Sequence, residues 1–506
     1  MPRIVGNVHA MGLGGFVAQP VEIQANIGQG LPGFLVTGSI DASLREAKER
    51  VRAAITNSGF KFPELKVTAA LAPAELRKEG SGFDLGIALA ILIASAELDL
   101  DLSKLSGTVF LGELGLDGRV RSVRGVLPLL LAARSAGFCR AVVPVANLQE
   151  ASLVDDLDIS GAQSLAQVVH WMLGAEELSG LVGEDVPPPL AAPDMADVVG
   201  QAEARHALEV AAAGGHHVLM TGSPGIGKTM LAARVPGILP PLEPAEALEV
   251  TAIHSVAGTL PAHHPLITVP PFIAPHHSVT MTALLGGGTG MARPGAVSRA
   301  HRGVLFLDEC AEAGAKVLDG LRQPLEEGRV RLSRRDGDAV YPSRFMLLLA
   351  ANPCPCAPVH DVDCVCTSVA RRRYLGKLSG PLMDRIDIRV QMDPPGTTML
   401  MTTVGESSAA IAERVAAARE RARMRWRPRG WLTNSEVPGS ALRRDFPLSP
   451  EALAPIEQCL RDGRITARGA DRALRLSWTI CDLRSGAQPE PDDVAQALMY
   501  RDREWR

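Results

Sequence analysis

Eight consecutive residues have the types and spacing that hold a triphosphate. Gly222, Ser223, Pro224, Gly225, Ile226, Gly227, Lys228 and Thr229 fit the pattern G-x-x-x-x-G-K-[ST]. Glycines at these points let backbone N–H groups curl around phosphate oxygens, and a following helix presents the positive end of its dipole. Lys228 is then expected to reach the β- and γ-phosphates, and Thr229 to offer its hydroxyl to Mg²⁺. Asp308 and Glu309 close the apolar run "GVLFL". One carboxylate there suits magnesium and the second suits orienting the attacking water, with a solvated acidic turn as the bland alternative. Asn352 ends a second apolar run, "FMLLLAA", placed to sense the γ-phosphate. Arg385 in "GPLMDRID" is either an arginine finger supplied in trans, which requires an oligomer, or half of a surface salt bridge with Asp384 or Asp387.

Two further groups of residues could do chemistry. Cys354, Cys356, Cys364 and Cys366 form two C-x-C pairs separated by seven residues, a set that suits tetrahedral zinc, with His360 able to replace one sulfur. Reduced structural thiols are the alternative, and the four scattered cysteines that complete the count of eight argue against a disulfide framework. The stretch "EEGRVRLSRRDGDAVYPSRF" reads as a β-hairpin, with Val330 and Leu332 alternating on one strand, a turn at Asp336-Gly337 and a return through Val340 and Tyr341. Its tip carries Arg334 and Arg335, which would track a phosphate backbone without reading sequence; a solvated surface hairpin is the alternative. Seven arginines between Arg414 and Arg429, interleaved with Trp426, give a weaker nucleic-acid signal, because such runs are usually solvated helical faces.

These residues need a scaffold, and the chain of 506 residues is long enough for about three domains. Residues 1–178 alternate short strands with helices. In "ASLREAKERVRAAITNSGF", Leu44, Ala47, Val51 and Ala54 share one helical stripe, with Asp41 or Ser43 as cap candidates and Gly59 as a stop. Residues 179–195 are rich in proline and glycine and read as a linker. Residues 196–398 alternate strands and helices as a parallel sheet with crossovers requires, and 399–506 are helical and arginine-rich. The net charge of −4 gives no global basic footprint, so any nucleic-acid contact must come from local patches. The start lacks a signal-peptide pattern, and the apolar run of 12 residues from Leu85 is shorter than the roughly 18 a membrane helix needs. The expectation is a cytoplasmic protein with no membrane contact.

The ordered motifs "GLPGFLVTG", "LAPAELRKEGSGFDL", "RPGAVSRAHRGVLFLDE", "LRQPLEEG", "ANPCPC" and "LSGPLMDRIDI" resemble the ComM/YifB-type magnesium-chelatase-like AAA+ ATPases. The resemblance runs over nearly the whole chain. It implies an α/β multidomain protein: a Lon-protease-like (S5-type) amino-terminal domain, an AAA+ P-loop domain with a parallel sheet, and a carboxy-terminal helical lid. It also implies ATP and Mg²⁺ as cofactors, and a homo-hexameric ring that drives branch migration or helicase movement on branched or single-stranded DNA through a pore hairpin, in homologous recombination or natural transformation. By motif, Lys228 and Thr229 go to phosphate and magnesium, Asp308 and Glu309 to magnesium and water, Asn352 to the sensor role and Arg385 to the finger. Arg468 takes the second-sensor role of the lid, with Arg472 one turn on as a competitor. A magnesium-chelatase-like protein-remodelling subunit is the rival reading. A Lon-like peptidase is a further one, but Gly82 falls where that chemistry expects its serine and Leu127 where it expects its lysine. Ser81 is a stand-in whose nearest lysine in sequence, Lys78, belongs to the same loop.

Overall fold

The computed structural model of the chain describes residues 5–38, 42–73, 80–181, 193–261, 265–288, 292–334, 337–358, 363–393 and 405–502. Most of the proline-rich stretch read as a linker, residues 182–192, lies outside them.

The amino-terminal strands build a seven-stranded mixed sheet, with Gly6–Gly14 antiparallel to Val17–Gly28 near its middle. Against it lies the helix Asp84–Ser95, in which every residue from Asp84 to Ala94 is buried. The long apolar run is therefore a core helix of this layer, as its alanine, leucine and isoleucine content favours once both faces are covered. No helix among the described residues is long and apolar enough to cross a membrane. The helix Ala42–Asn57 buries Ala47, Val51 and Ala54 completely. Ser43 lies within this helix and so does not cap it, while Asp41 is outside the described residues. Gly59, at φ +86°, takes the left-handed turn that follows the helix.

The second layer is a five-stranded sheet in the order Phe272–Ile273, Val304–Leu307, Met346–Ala351, Val218–Thr221, Ile388–Gln391. All neighbours are parallel. The strands Val304–Leu307 and Met346–Ala351 are apolar and buried throughout, as inner strands of a sheet covered on both faces are, while the edge strand Ile388–Gln391 leaves Arg389 and Gln391 less buried. The strand that is first in the chain stands between the two that are last, while its successor in sequence lies at the far edge. Such a reversal marks the switch point at the carboxyl ends of the strands, the usual ligand position in an open α/β sheet.

Helices Ser408–Trp426, Gly439–Asp445, Pro450–Arg461, Ala467–Leu483 and Pro491–Asp502 form the carboxy-terminal layer around the fully buried Trp426. Six of the seven arginines between Arg414 and Arg429 bond within the molecule. Arg414 pairs with Glu209 and Glu406, Arg423 with Glu243, Arg425 with Asp482 and Arg429 with Asp445. Arg419 and Arg421 donate to the backbone carbonyls of Ala212 and Asp482. Most of the run ties the helical layer to its neighbours, while Arg427 and Arg429 stay exposed at its end.

A buried polar junction joins this layer to the five-stranded sheet. Asp387 receives Arg472 at 2.5 Å and the backbone N–H of His217 at 3.1 Å, and lies 3.5 Å from His216, which reaches Thr479 at 2.7 Å. Nδ1 of His217 accepts the N–H of Leu347 at 3.1 Å, so that nitrogen must carry no proton. Burial holds His217 down to about 4. An unfolded histidine titrates near 6.5, so between these values the unfolded chain binds the extra proton. This contribution is complete above about pH 6.5 and is lost as pH falls toward about 4, by an amount on the order of 3 kcal/mol. Melting temperature measured against pH should therefore fall through that window, and His217→Gln should flatten the dependence.

Candidate active site

The parallel strands bring three separated motifs to one edge. The strand Val218–Thr221 delivers residues 222–229, Val304–Leu307 delivers Asp308 and Glu309, and Met346–Ala351 delivers Asn352. Adjacent parallel strands in matched register, Val218 opposite Leu348 and Val304 opposite Met346, necessarily end at one side.

The loop between strand and helix has the backbone a phosphate cradle needs. Gly227 sits at φ +103°, and a Cβ on Gly222 would meet the carbonyl oxygen of Met392 at 2.8 Å. Lys228 is buried, with Nζ donating to the carbonyls of Gly222 at 2.6 Å and Ser223 at 2.9 Å and to Oδ1 of Asn352 at 3.2 Å. Burial pulls its pKa below the ordinary lysine value, and the nearby carboxylates of Asp308 and Glu309 pull the other way. The ammonium thus spans the loop and the neighbouring strand, and a phosphate oxygen is the acceptor that suits it best there.

Thr229 donates its hydroxyl to Oδ2 of Asp308 at 2.5 Å, while Oδ1 of Asp308 accepts the N–H of Glu309 at 2.9 Å. A hydroxyl beside a carboxylate is a hard oxygen pair of the kind Mg²⁺ takes alongside phosphates. Glu309 is a non-glycine residue at φ +46°, a conformation that costs energy. Its carboxylate lies 3.3 Å from Nδ1 of His277.

Arg385 is buried, with Nη2 on Glu326 and Nη1 on the carbonyl of Pro381. The salt bridge anticipated with Asp384 or Asp387 is not the one formed, because Asp387 faces Arg472 in the buried junction. Nε of Arg385 is buried and has no hydrogen-bond partner among the described residues. The two second-sensor candidates part company here. Arg472 is committed to Asp387, whereas Arg468 stands exposed on the first turn of Ala467–Leu483 with no bond or ion pair among the described residues.

The hairpin forms with Val330 opposite Tyr341 and Leu332 opposite Ala339. Arg334 ends its first strand, opposite Gly337, while Arg335 is outside the described residues. The base of the hairpin rests on the amino-terminal layer: the rings of Phe16 and Tyr341 meet edge-on at 6.0 Å, and a Cβ on Gly15 would lie 3.1 Å from Ala339. The cysteines converge, each sulfur lying within 4.8 Å of the other three; His360 is outside the described residues.

Two residues at the site escaped the sequence reading. His277 belongs to none of the motifs above, and only the fold aims it at Glu309. Gln201 donates to the carbonyls of Ile226 at 3.5 Å and Asp393 at 2.9 Å, strapping the phosphate loop to the chain beyond Ile388–Gln391. The Val-Val-Gly-Gln run that precedes the first helix of this layer was the signal for it.

Comparison with known proteins covers nearly the whole chain. Residues 194–399 match the family described as magnesium chelatase, subunit ChlI; residues 23–147 match subunit ChlI of Mg-chelatase, and 405–501 its carboxy-terminal family. An uncharacterized protein of Mycobacterium tuberculosis is 53% identical over 98% of each chain. The competence protein ComM of Haemophilus influenzae is 39% identical over 96% of this chain and 95% of its own. YifB of Salmonella typhimurium, itself uncharacterized, is 38% identical over 98% of this chain and 96% of its own.

Proposed function

Because the chain belongs to the ComM/YifB-type magnesium-chelatase-like family, we propose that it is an ATPase that spends ATP on moving DNA, assembled as a hexameric ring. The observation that carries the ATPase reading is the meeting of Lys228, Thr229, Asp308, Glu309 and Asn352 at one edge of the parallel sheet. Residues 222–228 would hold the triphosphate, and Thr229 and Asp308 would hold Mg²⁺, which neutralises charge on the phosphates when bound. Glu309 orients the attacking water and accepts its proton. Asn352 reports on the phosphate through Lys228, and Arg385 and Arg468 serve as finger and second sensor.

For the choice of DNA the support is the arginine-tipped hairpin together with the competence protein among the relatives, which points to recombination or natural transformation. ATP turnover should rise when a four-way DNA junction is added, and the junction should be resolved into its product arms. No stimulation and no strand movement would retire the DNA reading. Arg334→Ala with Arg335→Ala should leave turnover without DNA unchanged and weaken stimulation. The slope of log affinity against log salt on single strands should shrink by about 0.7 for each phosphate that the variant no longer neutralises.

A protein-remodelling role like that of a magnesium-chelatase subunit is the second reading, favoured by the family description itself. In that case turnover responds to a protein partner and not to the junction. For the amino-terminal layer the proposal is a Lon-like scaffold without peptidase activity. Ser81 donates to the carboxylate of Glu113, which is no base partner for a nucleophile of the serine–lysine type, and Leu127 is fully buried. Lys78 lies outside the described residues.

A further inference from the structure

The loop after Asn352 gathers four thiols that take no part in the nucleotide chemistry. Cys354, Cys356, Cys364 and Cys366 are all unpaired by disulfides, and Cys354 is 2% exposed. Their sulfurs lie within 4.8 Å of one another, with 3.4 Å from Cys354 to Cys356, 3.5 Å from Cys354 to Cys364 and 3.6 Å from Cys356 to Cys364. The first pair sits in a turn closed by the N–H of Ala357 on the carbonyl of Cys354 at 3.2 Å. The second pair leads directly into the helix Ser368–Leu375, which Thr367 caps. From that helix Arg371 donates Nε to the sulfur of Cys364 at 3.2 Å.

We propose that these four cysteines form a structural zinc site. A Zn–S bond of about 2.3 Å puts the corners of a tetrahedron about 3.8 Å apart, close to the spacing already present. An all-sulfur set excludes magnesium and calcium, which take oxygen, and selects zinc or iron. A cluster of several irons would spread its ligands more widely than one central ion does, and the spacing here is that of one ion. Binding releases the thiol protons and leaves two net negative charges on a four-thiolate zinc centre, one of which Arg371 offsets. Since Cys354 follows Asn352 by two residues, the ion would pin the carboxyl end of the strand Met346–Ala351. The site rests on the thiols alone and stands whether or not the chain hydrolyses ATP.

The test uses the full chain, purified without a histidine tag or chelator. Elemental analysis should find about one zinc per chain, and stripping it with a chelator should lower the melting temperature. Cobalt(II) added to the stripped chain should give the intense sulfur-to-cobalt absorption of a tetrahedral thiolate site, and zinc should displace it. Cys364→Ser with Cys366→Ser should bring both zinc content and cobalt absorption to background, while Arg371→Ala retains the metal. A zinc-free chain with an unaltered melting temperature, a cobalt spectrum without thiolate absorption, or visible absorption from an iron–sulfur cluster would each overturn the proposal. The native-chain measurements decide it even if the serine variant does not fold.

Discussion

Glu309→Gln is expected to bind ATP about as tightly as the parent chain and to turn it over at least about 100-fold more slowly, the lower end of what a positioned general base contributes. The substitution keeps the side chain's length and its place at φ +46°, so the backbone turn after Asp308 carries the same cost in both chains. Asp308 keeps its bonds to Thr229 and to the N–H of residue 309, and Lys228 keeps its place in the loop. What disappears is the carboxylate proposed to take a proton from the attacking water. Lys228→Ala differs in kind, because it removes charge from the cradle and should weaken binding as well. Phosphate release measured at saturating ATP, with affinity from a fluorescent nucleotide, separates the two. Parental turnover by Glu309→Gln would remove Glu309 from the reaction.

Arg385→Ala should lower turnover by about 1,000-fold, in the range known for arginine fingers, while the isolated subunit binds nucleotide as before. The side chain meets Glu326, and its Nε is buried without a partner among the described residues. Glu326 is 59% exposed and stays hydrated without its partner, and a melting curve of the variant separates lost packing around the buried Arg385 from the lost finger. Lysine should not substitute, because a single ammonium cannot reproduce the planar fork. If the arginine acts across a subunit boundary, mixing Arg385→Ala with Glu309→Gln subunits should restore part of the turnover. One subunit then supplies the finger and its neighbour the intact Glu309. Two dead variants that stay dead on mixing would place Arg385 in its own subunit's structure, as the contact with Glu326 does in the single chain.

The nucleotide motifs were legible in the sequence because each is local. A glycine-rich turn, a strand ending in carboxylates and a strand ending in asparagine are each written within about ten residues, and backbone preference and apolar patterning act at that range. The hairpin is legible for the same reason, since its pairing of Val330 with Tyr341 spans a single turn. So is the cysteine spacing, though not the approach of the four sulfurs. The sequence alone also carried the family, since its motifs keep their order along the chain.

Only tertiary structure decided who meets whom across long separations. Arg414 finds Glu209 from 205 residues away, and His216 finds Thr479 from 263. Counted along the sequence, the arginines of Ser408–Trp426 are a basic run; in the fold, acids and carbonyls brought in by other helices neutralise them. The same packing gave Arg472 to Asp387 and left Arg468 exposed, and aimed His277 at Glu309. Local sequence sets which groups a segment can offer, because conformational preference is short-ranged. Which charge neutralises which is settled by burial, where each desolvated group must find a partner from whatever the packed layers place beside it.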